Sequence, residues 1–64
     1  MNHIKVELDF IPVEERLPEL EKPVYILMSG RIEQGWLEEN GLWIDDWGAW
    51  ERNSVTHWAE IPKL

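Results

Sequence analysis

The sequence predicts an α+β domain, predominantly a small antiparallel sheet of four to five strands in a meander, with one short helix in its N-terminal third. Two observations carry that expectation. Short apolar runs are separated by Ser-Gly and Asn-Gly pairs, the turn chemistry of hairpins. A five-residue stretch also lies between two prolines at positions 12 and 18, which suits a brief helical segment.

In chain order, Ile4, Val6, Leu8 and Phe10 alternate with Lys5, Glu7 and Asp9, the period-2 pattern of a strand with one buried face. Pro12 ends it. The helix is expected over Val13-Glu14-Glu15-Arg16-Leu17, and Pro18 forbids its continuation. Val24-Tyr25-Ile26-Leu27-Met28 is an apolar run too short for a comfortable helix, and Ser29-Gly30 returns it into Arg31-Ile32-Glu33-Gln34-Gly35-Trp36-Leu37. Asn40-Gly41 supplies a two-residue turn into Leu42-Trp43-Ile44.

Trp43, Trp47 and Trp50 stand at i, i+4 and i+7, so a short amphipathic helix is an alternative for that stretch. Gly48 and the Asp45-Asp46 pair oppose a long one. Val55 to Ile61 reads as a last strand, closed by Pro62. No repeat or linker interrupts residues 1–64, which form a single small domain.

A chain of 64 residues buries only about 60% of the surface its unfolded form exposes. It has no cysteine for disulfides and no Cys/His cluster for a structural metal, so apolar side chains must hold it. Five tryptophans, Trp36, Trp43, Trp47, Trp50 and Trp58, dominate that supply, and most are expected in the core with one or two exposed. A core this thin admits either a monomer or a homodimer. No apolar run reaches the roughly 20 residues of a membrane span, and Met1 to Lys5 lacks the apolar region of a secretory signal, so the expected compartment is the cytoplasm.

The formal net charge is −7, from 13 acids and 6 bases. It is unevenly placed. Glu33, Glu38, Glu39, Asp45, Asp46 and Glu51 fall between residues 32 and 51, where no Lys or Arg occurs. Such a field repels nucleic acid and anionic lipid, and it attracts a basic surface of the kind built to hold DNA or RNA. The expected partner is therefore a basic nucleic-acid-binding protein or ribonucleoprotein complex, with no direct DNA or RNA binding and no membrane contact. Trp43, Trp47 and Trp50 interleave with the acids, and aromatics ringed by polar groups form interface hot spots and stack on guanidinium groups. These six acids and three tryptophans are the expected partner-binding set.

Catalysis finds no support in the residues. Ser29, Ser54 and Thr56 lack an elbow motif and a buried base, and His57 has only His3 as a second imidazole, with no ligand at a recognised spacing. Asp45-Asp46 lacks the spaced oxygen ligands of a calcium loop. No enzyme activity, metal or cofactor is expected, and His57 is read as structural.

The run from Phe10 to Pro18, with its Glu15-Arg16-Leu17-Pro18 close, resembles the opening of a small phage- and prophage-borne family of unknown function. Val55-Thr56-His57-Trp58 followed by Ile61-Pro62 is similar to that family's ending. Phe10 stands where the family usually carries Trp, and the Trp-rich, base-free middle is unusual for it. In size, acidity and implied context the chain also resembles anti-CRISPR inhibitors that mimic DNA. That likeness implies an acidic inhibitor that occupies the DNA-binding surface of a host defence complex, such as a type I interference complex, inside the host cell. The alternative is a phage accessory adaptor that binds another protein through exposed tryptophans.

Overall fold

Two-residue and three-residue turns decide how this chain folds back on itself. Ser29 and Gly30 both take positive φ, 51° and 76°, the requirement of a tight hairpin turn whose twist matches its strands. They join β2 (Val24–Met28) to β3 (Arg31–Leu37). The computed structural model describes residues 7–63. Before β2 comes the two-residue β1 (Ile11–Pro12), and after β3 come β4 (Trp43–Asp45), β5 (Gly48–Trp50) and β6 (His57–Glu60). All pairings are antiparallel, in one six-stranded sheet of order β1-β6-β2-β3-β4-β5.

The antiparallel sheet with its central meander is thus present, but it has six strands where four to five were expected, because β5 and the two-residue β1 add to it. The short helix is absent, so the chain is sheet-rich and not clearly α+β. Glu15 and Arg16 donate backbone N–H bonds to the Pro12 carbonyl at 3.0 and 3.4 Å, so residues 13–15 make one turn and stop. Contacts with distant parts of the chain hold the segment in this form: Val13 donates to the Thr56 carbonyl at 3.0 Å, and Val13 and Leu17 pack on the core. These tertiary contacts outcompete a five-residue helix, whose nucleation is costly. The helical content among the described residues is a single 3₁₀ turn at Arg52–Ser54.

Other boundaries also differ. Residues 7–10 are not strand, and the rest of the expected N-terminal strand lies outside the described residues. The Asn40-Gly41 hairpin closes through three residues and not two: Glu38 donates to Leu42 at 2.8 Å, Gly41 donates to Glu38 at 2.9 Å, and Gly41 takes φ 88°. The helical alternative for residues 43–50 is replaced by the β4–β5 hairpin, in which Trp43 and Trp50 stand directly opposite each other. The last strand is shorter than expected, because Val55 and Thr56 belong to the incoming connection.

One face of the sheet carries the core: Val24, Ile26 and Met28 of β2, Leu37 of β3, Trp43 of β4, Trp58 of β6 and Ile11 of β1. Two connections cover it. Residues 51–56 cross from β5 at one edge to β6 near the other and bury Val55 in that cluster. Residues 13–23 also lie against this face, fixed by the Trp58 indole N–H donating to the Arg16 carbonyl at 2.9 Å and by Glu21 donating to Leu37 at 2.8 Å. Gly35 makes the β3–β4 pairing possible, since a β-carbon there would overlap the Ile44 carbonyl oxygen.

Candidate partner-binding hairpin

Among the residues expected to meet a partner, the β4–β5 hairpin gathers most, but it uses them differently. Asp45 ends β4 with its carboxylate turned back onto the adjoining turn. Its Oδ1 accepts the Trp47 N–H at 2.8 Å and the Gly48 N–H at 3.1 Å, and the residue is only 7% exposed. This is the local side-chain to backbone bonding by which Asp specifies turns. Asp45 is therefore withdrawn from the surface set and serves as the brace of the turn. Its other oxygen, Oδ2, is buried without a hydrogen-bond partner among the described residues.

Trp43 is likewise lost to the surface. It is fully buried, and Trp50, half-buried opposite it, packs against the same core. Both indole nitrogens are buried without partners among the described residues. The reason is register: Trp43 pairs with Leu37 and shares the core face with it, so its position in the strand decides burial.

Trp47 is the opposite case. It sits at the turn between β4 and β5 and is 73% exposed, the most exposed of the large apolar side chains described. Asp46 beside it is exposed, and Glu51, just past β5, is exposed too.

The remaining acids do not join Asp46 and Trp47. Glu38 and Glu39 lie at the β3–β4 loop, where Glu38 accepts the Trp36 indole N–H at 3.2 Å. Glu33 projects on the core face of β3, its side chain 22% exposed and 4.0 Å from the Arg31 guanidinium. Antiparallel pairing puts Glu38, Glu39 and Glu51 at one end of the β4–β5 pair and Asp45 and Asp46 at the other, separated by roughly 14 Å of strand. The six acids do not make one continuous row.

A concavity borders His57. An open cleft of about 660 Å³ is lined by Pro12, Val13, Glu14, Arg52, Asn53, Val55, Thr56 and His57. His57 Nδ1 lies 2.9 Å from the Thr56 hydroxyl, which also points to the Leu27 carbonyl at 3.4 Å. Sequence reasoning gave no sign of this cleft, because it forms where residues 12–14 meet residues 52–57 across a large separation. Among the described residues, no three His, Asp or Glu side chains come together in a group able to hold a metal. No helix among them is long and apolar enough to cross a membrane.

No family model matches the chain, and neither a curated protein nor a solved structure matches it.

Proposed function

We propose that the chain is a non-catalytic binding protein that attaches to a basic, nucleic-acid-binding surface of a partner protein through the β4–β5 hairpin. The observation that carries this reading is Trp47, 73% exposed at a turn braced by a buried carboxylate and placed beside exposed Asp46. Covering that indole releases roughly 150 Å² of apolar surface from water, worth about 3–4 kcal/mol before the costs of association. An arginine-rich partner suits both halves of the site, since guanidinium stacks on indole and pairs with carboxylate.

In this reading Trp47 is the anchor, and Asp46 and Glu51 orient the partner. Asp45, Trp43 and Trp50 build the hairpin without touching the partner. The resemblance to acidic phage inhibitors points to a DNA-binding subunit of a host defence complex as the partner, with target DNA kept out by occupation of its groove. The stricter form, in which carboxylates trace a phosphate track, draws support from the base-free stretch of residues 32–51. The adaptor reading draws support from the separation of those acids to two ends of the hairpin.

Affinity capture from a lysate of a host that carries a defence complex, with duplex DNA as competitor, tests the proposal. Recovery of a DNA-binding subunit that the duplex displaces supports inhibition by occupation of the groove. Capture indifferent to DNA, and retained by a Trp47-dependent contact, supports the adaptor. Capture unaffected by both DNA and loss of Trp47 overturns the hairpin site.

A further inference from the structure

The side of the sheet turned away from the core has a composition that solvent alone does not explain. Residues opposite each other in a ladder share a face, so the registers place Tyr25, Leu27, Ile32, Trp36, Ile44 and His57 together on this side. Every charged strand residue described, Arg31, Glu33, Asp45 and Glu60, falls on the core side or its rim. Among the described strand residues the open face has no Asp, Glu, Lys or Arg, in a chain where 30% of residues are charged. An antiparallel sheet with one solvated face ordinarily turns its polar residues to that face. Here the charged strand residues lie on the core side instead, Gln34 is the one amide among the described strand residues of the open face, and Ile32 stands 54% exposed there.

We propose that this uncharged face packs against the same face of a second copy of the chain, sheet on sheet, about a two-fold axis. Charge selects this occupant. Each chain carries −7, yet the described strand residues of the face oppose no carboxylate to another, and the one carboxylate that reaches it from a loop, Glu38, is held at its rim by the Trp36 indole N–H, so two copies meet there with few like charges to bury. A basic partner gains little from a face whose strands carry no anion, which separates this surface from the Trp47 hairpin.

Area agrees with a weak, reversible dimer. Five strands, from β6 to β5, at about 4.8 Å spacing and roughly 17 Å long give a footprint of about 400 Å² per copy. Two such footprints total roughly 800 Å² before side-chain relief is added, in the range of transient interfaces. The second copy also supplies the packed layer that a small sheet with only loops on its other side lacks.

The test is sedimentation equilibrium of the full chain over a range of concentration at low and high salt, with Ile32→Glu alongside. Ile32 is exposed, so the variant keeps its fold, which circular dichroism at low concentration verifies. The expected result is a rise from 7.7 kDa toward twice that mass with concentration, with an association constant that increases with salt as the repulsion of like chains is screened. Ile32→Glu is expected to weaken association by at least about tenfold, the effect of burying an unpaired charge, while Trp47→Ala leaves it unchanged. A wild-type chain that stays at 7.7 kDa at every concentration and salt overturns the proposal, as does an Ile32→Glu variant that associates like wild type. Because the hairpin contact weakens with salt and this one strengthens, failure of either is read independently.

Discussion

Asp45 holds Trp47 in solvent: the carboxylate of the one, on a residue only 7% exposed, accepts the backbone N–H of the other at 2.8 Å. A buried acid thereby fixes the position of an exposed aromatic. Removing the acceptor should release the turn. Asp45→Ala is expected to cost about 2 kcal/mol, the range for hydrogen bonds to a charged group. Asp45→Asn keeps an acceptor oxygen and should cost under about 1 kcal/mol. Urea denaturation of the two variants checks this, and equal losses would show that the turn bonds are not the source.

Gly35 is required by the close approach of β4. Gly35→Ala places its new carbon on the Ile44 carbonyl and should destabilise by about 3 kcal/mol as the two strands are forced apart. Thermal unfolding followed by circular dichroism reads the loss. An unchanged midpoint would mean the strands are free to shift.

Trp58 ties the N-terminal segment to the sheet through its indole N–H and the Arg16 carbonyl, and the Arg16 guanidinium lies 5.4 Å from the ring centre. Trp58→Phe removes the donor and part of the packing. Faster hydrogen exchange over residues 13–17, with a loss of about 1–2 kcal/mol, is the expected outcome. Protection unchanged in that segment would mean Val13 and Leu17 anchor it alone.

Ser29 takes φ 51° in a turn that favours Gly or Asn at both central positions. Ser29→Gly is expected to raise stability by up to about 1 kcal/mol, since the left-handed region strains a side chain. A lower unfolding midpoint in Ser29→Gly would contradict the turn assignment.

The central hairpin was legible because Ser29-Gly30 and the flanking apolar runs agree, and β2 and β3 have the bounds expected of them. The turn at Asn40-Gly41 was visible as a turn but not in its length, because Glu38 and Leu42 close it from outside the pair. β5 was hidden: Gly48, Ala49 and Trp50 form too short a run to signal a strand, and only the Asp45 turn and the Trp43–Trp50 pairing create it. Among the site residues, Asp46, Trp47 and Glu51 lie at the surface. The withdrawal of Asp45 and Trp43 was not legible, since it depends on the β3–β4 register that puts both on the core face. The open face, with no charged strand residue described on it, was equally unreadable, because its members come from four strands far apart in the chain.

The most direct measurement of the binding account is calorimetric titration of the captured partner subunit with wild type, Trp47→Ala and the Asp46→Lys/Glu51→Lys double variant, at low and high salt. Trp47→Ala should weaken binding at least about thirtyfold, as a hot-spot aromatic does, and charge reversal should weaken it and flatten the salt dependence. Folding stability of Trp47→Ala should stay within about 0.5 kcal/mol of wild type, as for a surface substitution. Wild-type affinity in both variants, with its salt dependence intact, would contradict the account.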